Sequence, residues 1–307
     1  HGKIHSVFAE RPVPSFKSSF LSAAYTFHRK YLNERWMQMD KNIIKRLLEE
    51  SDEVKLTKGL GLIGGSYAKA LRKLGFKISA ITLNRADIDY ATENGIIDEG
   101  YTEPTEEVVK KAELVIFALY PKVFKEWIEK YQQFFKSGAI LTDVTGVKGS
   151  IVYKIQDMLR PDVEFIAAHP MAGREVSGVE NSTDKMFAGA NYIVTPTKSS
   201  SEEAVELAKS IGEELEFGQI SILSPEEHDE MIGFLSQLTH CIAVALMTCK
   251  DSRYLVDYTG DSFRDLTRIA KINENMWSEL FLLNKEELLK QMDLFLEQFS
   301  KLKRTIE

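Results

Sequence analysis

Cysteine is nearly absent: the 307-residue chain holds only Cys241 and Cys249. Both fall in one apolar helical stretch and offer neither a metal-ligand spacing nor a disulfide framework. They read as packing thiols in a reducing, cytoplasmic setting, and no metal site is expected. A basic surplus is missing too, since 39 Lys and Arg against 46 Asp and Glu leave a formal net charge of −7. Phosphate binding needs a basic face, so nucleic acid is not an expected partner; an anionic small molecule would be captured by a few local cations. No apolar run reads as long enough to span a bilayer, and no membrane partner is expected. With 44% hydrophobic and 28% charged residues, the balance is that of a globular protein with a substantial core. Neither an internal repeat nor a low-complexity linker is evident, so one large or two ordinary domains are expected.

Residues 1–50 read as a leader or extension without an assigned role. Lys3 to Arg35 is richer in Arg, Lys and Ser than in acids, a composition like that of a transit peptide. The simpler reading is an upstream extension, with Met37 or Met39 as a later start. From about Glu53 the pattern alternates between strand and helix. Strands are expected at Val54–Leu56, Phe76–Leu83, Leu114–Leu119, Ala139–Val144, Phe165–Ala168 and Tyr192–Val194. Helices are expected at Ser66–Leu74, Ile88–Asn94, Val123–Phe135 and Ser150–Leu159. Such alternation predicts parallel βαβ units in a doubly wound, Rossmann-type α/β domain over residues 51–224. After Pro225 the character changes to long helical stretches, Glu226–Lys250 and Ser278–Leu302, in a helical domain over 225–307. Leu288, Met292, Phe295, Phe299 and Leu302 form one apolar stripe, suited to the core or to a subunit interface.

Gly59-Leu60-Gly61-Leu62-Ile63-Gly64 fits G-x-G-x-x-G between a strand and a helix. In that context Gly59 makes the tight turn, Gly61 admits a pyrophosphate, and Gly64 lets helix and strand pack closely. The helix start at Leu62 and Ile63 offers unpaired N–H groups to phosphate. Lys55, Thr57 and Lys58 interrupt the apolar first strand, which keeps a glycine turn that binds no nucleotide as the alternative. At the end of the second strand, Ile81-Thr82-Leu83-Asn84-Arg85 lacks the acid that accepts from an NAD ribose. Thr82 would not repel a 2′-phosphate and Arg85 can pair with one, so the sequence leans to NADP while NAD stays open.

His169-Pro170-Met171-Ala172-Gly173-Arg174-Glu175 follows the apolar run Val163–Ala168. It is expected to place an imidazole and a rigid proline turn just past a strand end, the edge where ligands bind in open α/β sheets. A satisfied turn histidine is the plainer alternative. Asp143-Val144-Thr145-Gly146-Val147-Lys148 is expected at the neighbouring strand end.

Taken in order, these motifs resemble the prephenate/arogenate dehydrogenase family of tyrosine biosynthesis. The resemblance extends to Ser224-Pro-Glu-Glu-His-Asp229, Leu238-Thr-His240, Phe263-Arg-Asp-Leu-Thr-Arg-Ile-Ala270 and Met276-Trp277. It implies oxidative decarboxylation of prephenate to 4-hydroxyphenylpyruvate with NAD(P), or of arogenate to tyrosine, by a homodimer joined through the helical domain. By resemblance His169 accepts the ring hydroxyl proton, Arg268 binds a substrate carboxylate, and His240, Glu175 and Trp277 line the pocket. Many relatives carry a serine where Gly146 stands; Thr145 is the expected substitute for that hydroxyl. Arg174 adds a cation near the pocket, whereas Glu175 would suit the ammonium of arogenate. His228 reads as structural. The rivals are a β-hydroxyacid-type dehydrogenase, with Lys271 as the nearest candidate lysine, and a non-catalytic dinucleotide sensor. No mutase or regulatory domain is read on the carboxyl side.

Overall fold

The computed structural model of the chain describes residues 54–174, 176–250 and 255–307. The expected leader over 1–50 and the candidate Glu175 lie outside the described residues. The first part of the sheet domain runs β1 (Val54–Lys58), α1 (Leu62–Lys73), β2 (Ile78–Ile81), α2 (Arg85–Glu93), β3 (Glu99–Tyr101) and α3 (Glu106–Val109). The second runs β4 (Ala112–Phe117), α4 (Pro121–Tyr131), β5 (Ile140–Asp143), α5 (Val152–Met158) and β6 (Glu164–Met171). β7 (Asn191–Thr195), α6 (Glu202–Glu214) and β8 (Gln219–Ile222) complete it.

The eight strands form one sheet in the order β3-β2-β1-β4-β5-β6-β7-β8. Strands β1 to β6 pair in parallel, β7 is antiparallel to β6, and β8 is parallel to β7. This is the doubly wound, mostly parallel sheet that the alternating periods imply. The two edges, β3 and β8, are not expected from sequence because neither carries an apolar run. β2 is shorter than its expected Phe76–Leu83: the strand stops at Ile81, and Leu83 is 87% exposed. On one face, Phe117 of β4 lies 4.6 Å from Phe124 and 5.1 Å from Trp127 between ring centroids, anchoring α4 on the sheet.

β1 forms despite its polar residues. It lies between β2 and β4, with Lys58 opposite Ile81 and Phe117. Thr57 and Lys58 are both buried. Burial lowers the Lys58 amine to about 8 from its ordinary 10.5, and no neighbouring charge opposes the shift. The folded state therefore resists charging Lys58, and that cost is fully present below pH 8 and gone above pH 10.5. Lys58→Met should stabilise the protein by about 3 kcal/mol at neutral pH, on the scale of 1.36 kcal/mol per pKa unit. Denaturant unfolding at neutral and strongly alkaline pH checks this, since the gain must shrink as pH rises.

The described residues that follow are helical: α7 (Pro225–Ile232), a π-helical turn (Gly233–Leu238), α8 (Thr239–Thr248), α9 (Leu255–Tyr258), α10 (Asp261–Thr267), a 3₁₀ turn (Arg268–Ala270), α11 (Glu274–Leu283) and α12 (Lys285–Ile306). The continuous run Pro225–Thr248 is 24 residues long and contains an 18-residue window of mean hydropathy 1.6, so, against expectation, by length and composition alone it is long and apolar enough to cross a membrane. The expected helix Ser278–Leu302 is two helices. Buried Asn284 separates them, its amide donating to the Asp229 carbonyl at 2.9 Å and to Gln237 Oε1 at 2.8 Å. The apolar stripe of α12 starts buried at Leu288 and ends exposed at Phe299 and Leu302.

Candidate active site

Parallel strands bring their carboxyl ends to one edge of the sheet, and the glycine loop starts there. Gly59 has φ 92°, a left-handed backbone, and a Cβ on it would strike the Ala118 carbonyl. A Cβ on Gly64 would overlap the Gly59 carbonyl, so α1 packs against the strand end as closely as a missing side chain allows. Around Gly61 nothing lies within 4 Å of where a Cβ would stand. No side chain caps α1, and its first turn, beginning at Leu62 and Ile63, holds no acid. An open backbone beside an uncapped helix start fits the pyrophosphate of a dinucleotide.

At the end of β2, the Thr82 N–H donates to the Tyr101 carbonyl at 3.0 Å. Asn84 caps α2, accepting from the Ala86 N–H at 3.1 Å and donating to Asp87 at 2.9 Å. Arg85 pairs with Asp89, Nε to Oδ1, at 2.8 Å, with 70% of its side chain exposed. Such an exposed pair is weak and leaves the guanidinium able to turn to another anion.

His169 does not stand past a strand end. β6 continues through it, with His169 opposite Ile193 and Pro170 opposite Tyr192 in the antiparallel ladder to β7. The expected proline turn is thus strand. The pairing of β5 with β6 has ended at Ile166, which leaves that edge of β6 without a ladder and tolerant of proline.

A buried polar cluster supports the histidine. Lys148, fully buried, donates from Nζ to Asp143 Oδ2 at 2.7 Å, to the Ala168 carbonyl at 2.7 Å and to Thr145 Oγ1 at 3.3 Å. Burial lowers the Lys148 amine, against the opposing pull of Asp143. Asp143 also accepts from the N–H groups of Thr145 at 3.0 Å and Ala168 at 3.1 Å, tying the end of β5 to the residue before His169. The Thr145 hydroxyl donates to Asp143 Oδ2 and lies 3.0 Å from the Val147 carbonyl. This corrects the expectation that Thr145 replaces a substrate-facing serine hydroxyl. Gly146 leaves that position open: a Cβ there would stand 3.6 Å from Leu280 and 3.9 Å from His169 Cε1.

On its other side His169 meets the helical domain. His169 Nδ1 lies 2.9 Å from His228 Nε2, and His228 Nδ1 lies 2.8 Å from Asp229 Oδ1. The Asp229 carboxylate accepts from the N–H groups of Lys148 at 2.7 Å and Gly149 at 2.8 Å. A capping box between Ser224 and Glu227 starts α7 and so places His228 and Asp229. Burial, then the neighbouring His228 and Lys148, lower the His169 imidazole well below its ordinary 6.5. His228 is lowered by its own burial, against its hydrogen bond to the Asp229 carboxylate. Both rings are therefore neutral at neutral pH. His228, expected to be structural, is thus a hydrogen-bonding partner of His169, and Asp229, Asp143 and Lys148 join the site although no local pattern gives them a role; Ser224-Pro-Glu-Glu is the sequence signal for the fixed helix start.

His240 and Trp277 stack with ring centroids 3.7 Å apart. Trp277 lies three residues before Leu280 on α11, one turn from the side chain that faces Gly146. Gln237 Nε2 donates to the Leu280 carbonyl at 3.1 Å, joining this helix to the π-helical turn. Arg268 is exposed on the 3₁₀ turn that packs against α8, the helix bearing His240. Arg174 donates to the Asn181 carbonyl at 2.8 Å.

Residues 67–228 match the nucleotide-binding domain of prephenate dehydrogenase, and residues 224–307 match its dimerization domain. The chain belongs to the prephenate dehydrogenase family. It is accordingly an oxidoreductase of the NAD(P)-using type. The prephenate dehydrogenase of Bacillus subtilis is 30% identical over 261 residues, covering 82% of this chain and 70% of that protein. Among solved structures, prephenate dehydrogenase from A. aeolicus in complex with hydroxyphenyl propionate and NAD+ is 35% identical, with a TM-score of 0.76 over 83% of this chain and 91% of that one. The arogenate dehydrogenase of Synechocystis is 25% identical, with a TM-score of 0.72 over 82% of this chain and 91% of that one. Relatives with both substrate names thus share the architecture of this prephenate dehydrogenase family member.

Proposed function

We propose that the protein oxidatively decarboxylates prephenate to 4-hydroxyphenylpyruvate, with His169 as the base for the ring hydroxyl. The observation that carries this reading is a neutral imidazole, held through Nδ1, at the sheet edge that also bears the glycine loop. When bound across Gly59, Gly61, Leu62, Ile63 and Gly64, NAD(P) supplies the hydride acceptor. Proton transfer from the ring hydroxyl to His169 Nε2 turns the carbinol into a stronger hydride donor. Loss of the ring carboxylate as CO2 leaves an aromatic product. Arg268 holds a substrate carboxylate, a task suited to its planar guanidinium, while His240 and Trp277 line the pocket. Thr145 contributes by fixing the strand end from which Gly146 faces that pocket.

Arogenate is the second reading, because the arogenate dehydrogenase of Synechocystis shares the fold. Prephenate is favoured by the higher identity of the B. subtilis and A. aeolicus relatives. Assaying the purified chain with prephenate or arogenate, and NAD or NADP, tests this by the absorbance of reduced nicotinamide. Turnover of arogenate alone would overturn the prephenate reading, and no turnover in any combination would favour a dinucleotide sensor. Arg268→Ala should raise the KM for prephenate by the equivalent of about 1.5–3 kcal/mol, the scale of a hydrogen bond to a charged group.

For the cofactor we favour NADP, supported by the missing acid between Ile81 and Arg85 and by the exposed Arg85 guanidinium. Arg85→Ala should weaken NADP binding by about tenfold or more while sparing NAD, because a charged hydrogen bond is worth about 1.5–3 kcal/mol. Titration calorimetry with both cofactors would show equal losses if the assignment is wrong. A second copy of the chain is the proposed cover for exposed apolar residues such as Phe234, Leu235 and Leu282 in the dimerization domain. The thiols Cys241 and Cys249 are unpaired, as a reducing cytoplasm would keep them, and we place the enzyme there.

A further inference from the structure

We propose that the Asp229–His228 pair sets the tautomer of His169, holding its ring proton on Nδ1 and leaving Nε2 bare to accept a proton. The inference rests on His169 being the base and adds two positioning residues to it. It follows from counting donors and acceptors along one chain of contacts. Backbone N–H groups can only donate, and two of them, from Lys148 and Gly149, point at the Asp229 carboxylate. Asp229 therefore acts as an acceptor, and its contact at 2.8 Å requires His228 Nδ1 to carry the hydrogen.

A neutral His228 with its hydrogen on Nδ1 has a bare Nε2. That atom lies 2.9 Å from His169 Nδ1, so His169 must donate across this contact. A neutral His169 that donates from Nδ1 has its lone pair on Nε2. One carboxylate held by two amides thus fixes two rings in sequence. Lys148, whose charge acts on both rings, does not compete for either, because its ammonium is directed to Asp143, Thr145 and Ala168. When His169 takes up a proton at Nε2, its Nδ1–H still faces the His228 lone pair, and Asp229 stands behind to stabilise the added charge. His228 and Asp229 are almost wholly buried, so water does not scramble the assignment.

Long-range proton–nitrogen spectra of protein labelled with 15N-histidine read the tautomers directly, without turnover. At mildly alkaline pH, the His169 and His228 rings should each show a protonated Nδ1 and a bare Nε2, with the His169 signals identified by their loss in His169→Asn. A protonated Nε2 on His169 would overturn the proposal. Asp229→Ala removes the acceptor that holds the His228 ring hydrogen on Nδ1, so both rings should lose their fixed tautomer and His169 should show a protonated Nε2 in part of the population. This variant should lower kcat by about tenfold or more with KM little changed, the scale of a general base no longer held in its working tautomer. Unchanged kcat, or rings that keep their wild-type tautomers, would also overturn it. If Asp229→Ala does not fold, the wild-type spectrum decides alone. Full turnover in His169→Asn would instead defeat the assignment of the base, a distinct failure.

Discussion

Replacing His169 with Asn should lower kcat by about two to four powers of ten, the usual contribution of a general base, while substrate and cofactor still bind. Asn is the informative choice because its amide nitrogen can take the place of Nδ1 and still donate to His228 Nε2. The contact at 2.9 Å is then preserved and the atom facing the pocket is lost. Stability should change little, so a melting curve separates lost chemistry from lost folding. Unchanged turnover would remove His169 from the mechanism. In the wild type the lowered imidazole keeps the base unprotonated through neutrality, so the acid limb of kcat/KM should fall below pH 6.5. The same burial has a stability consequence. Both His169 and His228 have folded pKa values lowered below 6.5, so their contribution is present above pH 6.5 and is lost as pH falls through the folded values.

Lys148→Met should destabilise the protein by about 3–5 kcal/mol, the cost of removing one partner from a buried ion pair. The side chain is wholly buried, and its three donors meet three acceptors on Asp143, Thr145 and Ala168. Methionine fills much the same volume but leaves the Asp143 carboxylate and the Ala168 carbonyl short of a donor. The damage should reach the site, because Ala168 directly precedes His169 on β6. Converting Asp143 to Asn as well should recover part of the loss, since a neutral amide leaves no stranded buried charge while its oxygen still accepts from a neighbouring N–H. Chemical denaturation of the single and double variants checks this; a single variant as stable as the parent would show that the ion pair contributes nothing.

Much of this protein was legible along the chain because the deciding signals are local. Alternating strand and helix periods predict a parallel sheet from residues that neighbour one another in sequence. The Gly59–Gly64 loop needs only the steric freedom of missing side chains between a strand and a helix. Other features were settled by partners remote in sequence. β1 is a strand because β2 and β4 supply its ladders, although Lys58 must be buried to complete it. The last helical stretch breaks at Asn284 because that amide finds Asp229 and Gln237. Thr145 turns inward because Asp143 and Lys148 are there to receive it.

His169 shows the division most plainly. Its residue type and its neighbours along the chain already marked it for proton chemistry. Which nitrogen is free to do that chemistry depends on His228, 59 residues away, and on a carboxylate held by the amides of Lys148 and Gly149. Local sequence reports what a stretch of backbone prefers. A hydrogen-bond chain between two domains exists only once packing has brought its members within 3 Å of each other.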